Sequence, residues 1–349
     1  MIAVDAMGGD FAPQEVVHGA FNAAKKGVSV VLFGDEGQIV CALNSLDSEW
    51  RSFPISITHC SEFITMDDEP SKSVLHKKNS SLVRAIEAVN KGTAKAILSA
   101  GNSGAALVAG TLKLGRVPGV LRPAIGNFLP THTGSIFCLD LGANVDCKPE
   151  YLEQFALMGN VYLQQIKGIR APRIALLSNG HEPYKGTAVI KEAFDRLKSN
   201  KLLNFIGNME PRDIFDGGAD VLVCDGFAGN VMLKSIEGTV KTMSNWLKHE
   251  ASKSLLAKAS FLMGKSIFAN LKQKTDYARV GGALLLGVQK PLIIAHGCSR
   301  ADAIESAIMY ANATVQDCIL PVFNQTLSVQ IAFSSPSTSS SFTHSVMTT

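Results

Sequence analysis

Charge is what this sequence has little of: 18% of its 349 residues are Asp, Glu, Lys or Arg, and the formal net charge is +3. A balance so close to zero gives no basic footprint, and no basic and aromatic residues interleave as RNA-binding surfaces require. Nucleic acid is therefore excluded as a partner. The seven cysteines include no CxxC and no Cys/His ligand spacing. Neither a disulfide framework nor a structural zinc site is expected, and a reducing cytoplasm fits. No apolar run reaches membrane-spanning length, and MIAVDAMGGD enters a strand without a basic and apolar leader. The expectation is a cytoplasmic chain, neither secreted nor transmembrane. Catalytic signatures are missing as well: no GxGxxG after a strand, no GxSxG elbow, no HExxH, and no Cys with an orienting His. Dinucleotide binding, serine or cysteine hydrolysis and zincin chemistry have no support.

What the chain does have is glycine and small polar residues placed after short apolar runs. In AKAILSAGNSGAALVAGTLKLG, Ala96 to Leu98 reads as a buried strand, Ser99, Gly101, Asn102, Ser103 and Gly104 as its loop, and Ala105 onward as a helix. Such a turn lets backbone approach a ligand and aims N–H groups and the helix dipole at an anion. A bare βα turn explains one such loop equally well, but the plan recurs. Ile2 to Val4 runs into Asp5, Gly8, Gly9 and Asp10, then a helix over Gln14 to Lys26. Ser135 to Leu141 runs into Gly142 and Asn144, with a helix from Pro149. Arg173 to Leu177 leads to Lys185 and Gly186; Asp220 to Cys224 leads to Asp225, Gly229, Asn230 and a helix from Val231; Pro291 to Ala295 leads to His296 and a helix over Ala301 to Val315. Further strands are expected at Val28 to Phe33, Ile55 to Thr58 and Phe205 to Asn208, a helix over Ser71 to Asn90, and irregular chain over Gly119 to Pro130.

This alternation predicts an α/β fold: a mainly parallel sheet flanked by helices, with the strand-to-helix loops gathered along one edge. A ligand would sit in the crevice beyond the strand ends. The loops supply backbone donors, amides, carboxylates, Lys185 and His296, which suits a bound anion acting as nucleophile, such as inorganic phosphate attacking a thioester. Asn102, Lys185 and His296 are the catalytic candidates; Lys185 is otherwise a surface lysine at a helix start, and His296 otherwise a helix-capping histidine. Asp67, Asp68 and Glu69 read as hydrated loop carboxylates. No metal and no cofactor is expected.

Several stretches, in order, resemble the phosphate acyltransferases of the PlsX family: DAMGGD (Asp5 to Asp10), SSLVRAIE (Ser80 to Glu87), SAGNSGA (Ser99 to Ala105), LDLGANVDCKPEYLEQFALMG (Leu139 to Gly159), NFIGNMEPRDI (Asn204 to Ile214) and CDGFAGNVMLKSIEG (Cys224 to Gly238). The resemblance spans Met1 to about Pro321; Ser103 and His181 stand where Thr and Glu are expected. It implies transfer of an acyl group from acyl carrier protein to phosphate, giving acyl phosphate for phospholipid synthesis. It also implies a fold like the phosphotransacetylases and isocitrate/isopropylmalate dehydrogenases, and a cytoplasmic homodimer peripherally associated with the membrane. Hand-over to a membrane glycerol-3-phosphate acyltransferase follows. A coenzyme A-dependent phosphate acetyltransferase, or a non-catalytic scaffold of lipid synthesis, are the alternatives.

A single catalytic domain is expected over residues 1–327. Within it, residues 246–274 form a basic amphipathic projection whose Leu255, Lys258, Leu262 and Lys265 suit an anionic membrane surface or an acidic carrier. The Ser/Thr-rich residues 328–349 read as a disordered tail.

Overall fold

The computed structural model describes residues 1–254, 264, 281–316 and 319–334. Eleven strands form one sheet. In the first half lie β1 (Ile2–Asp5), α1 (Gln14–Lys25), β2 (Val30–Gly34), α2 (Glu36–Leu46), β3 (Ile55–His59), α3 (Pro70–His76), α4 (Ser81–Asn90), β4 (Ala96–Ser99) and α5 (Ser103–Ala109). The hairpin β5 (Ala124–Thr131) and β6 (Gly134–Leu139) leads to α6 (Pro149–Ile166), β7 (Arg173–Leu177), α7 (Ala188–Ser199), β8 (Asn204–Met209), β9 (Val221–Val223) and α8 (Gly226–Ser252). The chain closes with β10 (Ala283–Leu286), β11 (Leu292–Ile294), α9 (Ala301–Gln316) and α10 (Ile319–Ser334).

The strand order is β3-β2-β1-β4-β11-β10-β5-β6-β9-β7-β8. Most neighbours are parallel, as expected, but β10 pairs antiparallel with β11 and β5, and β5 with β6. Three reversals in a row leave β6, β7, β8 and β9 running opposite to β1, β2, β3, β4 and β11. The expectation of one loop-bearing edge is therefore corrected: the loops after β1, β4 and β11 leave one edge of the sheet, and those after β6, β7 and β9 leave the other. The sequence reading missed this because it missed β10 and took Gly119 to Pro130 as irregular, although Ala124 to Pro130 lies inside β5. Proline at β5's far end and glycine at Gly126 hid a strand that tertiary packing imposes.

Each half contains one point where the chain reverses its direction of travel across the sheet. From β1 the chain moves outward to β2 and β3 and then returns to place β4 on β1's other side; from β7 it moves to β8 and returns to place β9 on β7's other side. Crevices at such points are where open α/β sheets bind ligands.

Side chains alternate faces along each strand, so two apolar layers form. Ile2 and Val4 face the layer of α1, α6 and α9; Ala3 and Ile97 face that of α4 and α5. Other expectations are corrected at helix ends. The helix over Ser71 to Asn90 is two, α3 and α4, broken at 77–80. The helix after β9 starts at Gly226 rather than Val231, capped by Asp225. The chain past Leu327 stays helical to Ser334, because Leu320, Phe323, Leu327 and Ile331 recur on one buried stripe. Residues 335–349 lie outside the described residues.

Candidate functional site

At the β1/β4 crevice the strand register does the assembling. Asp5 is paired with Ser99 across the two strands, and parity puts both side chains on the α4 face. The Ser99 hydroxyl donates to Asp5 Oδ2 at 2.7 Å. Asp5 is 3% exposed and its Oδ1 has no hydrogen-bond partner among the described residues. Burial pushes its carboxyl above the ordinary value, against the Ser81 and Ser99 hydroxyls and the Met7 N–H. Gly8 and Gly101 close over this pair: a Cβ on Gly8 would lie 2.6 Å from Asp5 Oδ2 and 2.8 Å from the Gly101 nitrogen. Only glycine permits that approach.

Asn102 is spent inside the same crevice. Its Oδ1 caps α5 by accepting from the Ala105 N–H at 3.0 Å, and its Nδ2 donates to the carbonyls of Thr65, Met66 and Asp68 at 3.3, 3.3 and 3.0 Å. It pins the loop before α3 to the start of α5. Expected as a catalytic group, it has a positioning role here: both Nδ2 hydrogens and one of the two Oδ1 lone pairs are engaged by the protein itself. Ser103 is exposed on the first turn of α5, whereas Gly104 packs on Pro70, where a Cβ would meet Cγ at 2.7 Å. Asp68 accepts from Lys77 at 2.6 Å and Glu69 pairs with Lys72 at 2.6 Å, so two of the three acidic loop residues are ion-paired. Gly9 has φ +118°, and the Asp10 N–H donates to the Gly297 carbonyl at 2.8 Å, tying the β1 loop to the β11 loop. Glu15 fixes the other end of the β11 loop, accepting from the Ala301 N–H at 2.8 Å and pairing with Arg300 at 3.1 Å.

At the opposite edge, Asp140 organises the turn after β6. It is fully buried; its Oδ1 accepts from the N–H groups of Ile125, Gly142 and Ala143, and its Oδ2 from the Asn144 N–H and Nδ2. Burial pushes its pKa up while these donors pull the other way. The Asn144 amide is consumed by Asp140 and by the Pro123 carbonyl, its own carbonyl accepts from the Gly226 N–H, and Asp225 caps α8 through the Ala228 N–H at 2.7 Å. Gly229 packs so tightly on the Asp140 carbonyl that no Cβ fits. Gly142, with φ +141°, lies against Asn230, an exposed side chain. Lys185 and Gly186 sit in the loop after β7 at this same edge. There the Gly186 N–H donates to Asn179 Oδ1 at 2.9 Å, and Lys185 has no carboxylate partner among the described residues.

One helix connects the two edges. Asn230, Lys234 and Glu237 occupy one face of α8 at i, i+4 and i+7, a rise of about 10 Å. Asn230 borders the Gly142 turn; Lys234 Nζ lies 3.3 Å from His296 Nδ1 and 2.9 Å from Glu237 Oε2, and His296 Nε2 lies 3.5 Å from Glu237 Oε1. Burial, then the Lys234 ammonium, hold the His296 imidazole below its ordinary pKa, with Glu237 opposing. Below-normal basicity beside an ammonium means a neutral ring whose Nδ1 accepts from Lys234. His296, a catalytic candidate from the sequence, thus sits against the Lys234 ammonium and the Glu237 carboxylate. Lys234, Glu237 and Asp140 were missed from sequence. The spacing of Asn230, Lys234 and Glu237 was visible, but only a helix that begins at Gly226, before Asn230, puts all three on one face. Leu255, Lys258, Leu262 and Lys265 lie outside the described residues.

The buried thiols are not primed as nucleophiles: burial raises Cys60 to about 11 and Cys147 to about 12, and pushes Cys138 and Cys224 further up. Ser99, 1% exposed beneath the glycine contact, cannot meet a substrate carbonyl. Among the described residues no group of three His, Cys, Asp or Glu side chains is placed to hold a metal ion.

A model of the family described as "Fatty acid synthesis protein" matches residues 1–320. The chain belongs to that family, the PlsX phosphate acyltransferases. The phosphate acyltransferase of Dictyoglomus turgidum is 46% identical over 317 residues, covering 90% of this chain and 94% of its own. That of Geobacillus thermodenitrificans is 47% identical over 322 residues, covering 91% and 96%. Among solved structures, a phosphotransacetylase from Streptococcus pyogenes superposes with a TM-score of 0.58 at 18% identity, covering 90% of this chain and 94% of that one. A branched-chain phosphotransacylase from Enterococcus faecalis gives 0.52 at 15%, covering 90% and 100%. At such identities these last two bear on the fold alone, which they share with this chain.

Proposed function

We propose that this protein transfers a fatty acyl group from acyl carrier protein to inorganic phosphate, releasing acyl phosphate and the free carrier thiol. The observation that carries the reading is an oriented cation without an activated side-chain nucleophile: Lys234 is held by His296 and Glu237 over the β11 loop, while the buried thiols are kept protonated. Bound phosphate is then the nucleophile. An oxygen of hydrogen phosphate forms the bond to the thioester carbon, negative charge develops on the carbonyl oxygen, the carbon–sulfur bond breaks, and the leaving thiolate takes up the proton that the phosphate gives up, leaving as the thiol. Lys234 bears on the phosphate or on the oxyanion; the glycine turns at Gly8, Gly9 and Gly101 admit the reacting groups close to backbone.

The test is phosphate-dependent release of carrier thiol from palmitoyl-carrier protein, with palmitoyl coenzyme A as the comparison donor. Lys234→Ala is expected to lower kcat/KM about 100-fold, and Cys298→Ser, in the exposed turn beside His296, to leave it unchanged. Wild-type rates that ignore phosphate would sink the reading, and loss of activity in Cys298→Ser would replace it with a covalent thiol mechanism.

The same reading carries the homodimer, the peripheral contact with an anionic membrane and the hand-over to a membrane glycerol-3-phosphate acyltransferase. Its support is α8, which leaves the site and runs exposed over residues 241–250, with Met243 54% and Trp246 66% exposed. No helix among the described residues is long and apolar enough to cross a membrane. Replacing Leu255 and Leu262 with Asp should reduce sedimentation with anionic vesicles and spare turnover.

A further inference from the structure

A cavity of about 240 Å³ opens beside the β1/β4 crevice. Met7 and Gly9 line it from the β1 loop, Gln38 from the first turn of α2, and Ile64, Thr65 and Met66 from the loop after β3. Phe63, which also lines it, and Met66 are 47% and 48% exposed, two large apolar side chains left side by side at the surface of this loop. The cavity leads to the reactive region. Gly9 belongs to both, and the Met66 methyl stands 3.0 Å from where a Gly297 Cβ would be, next to His296.

The lining mixes two chemistries. Met7, Ile64 and Met66 offer methylene and thioether surface; the Gln38 side-chain amide, for which no hydrogen bond is found among the described residues, offers donors and an acceptor, and the Thr65 hydroxyl, which hydrogen-bonds the Asp68 carboxylate, offers a further acceptor. A hydrocarbon chain seated here would bury the Gln38 amide unpaired, which is unfavourable. The volume is also below the roughly 300–1,000 Å³ of pockets that enclose a whole small ligand. A slender arm of alternating methylenes and amides satisfies both features.

We propose that this cavity receives the pantetheine arm of the thioester donor, with its amides against Gln38 and Thr65 and its methylenes against Met7, Ile64 and Met66. The proposal rests on the acyl-transfer reading above. Carrier proteins and coenzyme A present the same arm, so the cavity recognises the arm whichever molecule bears it. The acyl chain leaves the thioester in another direction.

Binding separates this proposal from the reaction. Unreactive S-octyl thioethers of N-acetylcysteamine, pantetheine, coenzyme A and carrier protein are titrated calorimetrically into wild type, Gln38→Leu and Gln38→Trp. Gln38 is exposed on a helix, so the folded chain should tolerate both, and thermal melts check it. Wild type is expected to bind the pantetheine compound about tenfold more tightly than the cysteamine one. Gln38→Trp should reduce that advantage to about threefold or less, equally for the pantetheine, coenzyme A and carrier ligands, with Gln38→Leu between. Equal binding of the pantetheine and cysteamine compounds by wild type overturns the proposal. So does an effect of Gln38→Trp confined to the carrier, which would mark a protein-surface contact. A change in octyl against hexadecyl preference with the pantetheine advantage intact overturns it too, because the cavity would then hold the acyl chain. Binding as expected without phosphate-dependent turnover leaves the cavity assigned and overturns only the reaction.

Discussion

Asn102 and Lys185 occupy matching places, each in the loop leaving a strand beside a point where the chain reverses its travel across the sheet, and the protein uses them in opposite ways. Around Asn102 the side chains brace the crevice itself: the amide makes four contacts to backbone and Ser99 donates to Asp5, with the buried Asp5 Oδ1 left over. Around Lys185 polar atoms are left over. Among the described residues the ammonium has no carboxylate partner, and the buried Ser178 Oγ and Asn208 Oδ1 have no hydrogen-bond partner. The same local chemistry thus builds a locked crevice at β1/β4 and a less committed one at β7/β9. Between them runs α8, with Asn230 at one end of its polar face and Lys234 and Glu237 at the other. Loop composition alone does not say which loop is scaffold and which is free to bind.

Four substitutions test that contrast. The largest effect should come from Gly229→Ala, whose Cβ would collide with the Asp140 carbonyl and come within 2.9 Å of Cys224 Sγ, both held rigidly by strands. A loss of about 3 kcal/mol or more is expected in denaturant melts; a mild effect would mean the second-edge turn is softer than drawn. Lys185→Ala should leave the melting temperature nearly unchanged and lower kcat/KM for phosphate about tenfold. An unchanged rate would confine the reaction to the β1/β4 crevice.

Asn102→Asp sharpens the scaffold side. The aspartate keeps an acceptor for the Ala105 N–H but cannot donate to the three carbonyls, so about 1–2 kcal/mol of stability should be lost. Stability equal to wild type would show that those carbonyl contacts contribute nothing. The smallest and most pH-dependent effect is Asp5→Asn. Because the native carboxyl titrates above its ordinary value, its stabilising contribution is present in acid, below about pH 4, and is lost as pH rises through the native pKa. The Asn variant should therefore gain stability relative to wild type as pH is raised towards neutrality, and the gain should vanish in acid. A constant difference across pH would mean that Asp5 is not the titrating group.

The strand-loop-helix plan could be read from the chain because short apolar runs followed by Gly, Asn, Asp and Ser are local features. The Asp5 and Ser99 loops stand out in the sequence for the same local reason. Their pairing depends on a register between strands separated by 94 residues, and no local signal carries that. Asp140 went unnoticed because an aspartate beside Gly142 and Asn144 looks like any turn residue until five donors are seen to converge on it. β10 and α10 were missed because no Gly/Asn/Asp/Ser loop and helix follow Ala283 to Leu286 as they do the other short strands, and because the Ser/Thr-rich chain that follows drew the end of the domain at Leu327.

By itself, the sequence determined the fold class, the family and which loops would be glycine-rich, since these depend on residue order and on the backbone freedom of single residues. Only the tertiary structure decided that the strands of the two halves run in opposite senses, that Asn102 and Asn144 are consumed as braces, and that Lys234 rather than Asn102 faces His296. Those outcomes depend on which distant groups meet. A side chain becomes free to act only when the neighbours that would otherwise satisfy it lie elsewhere.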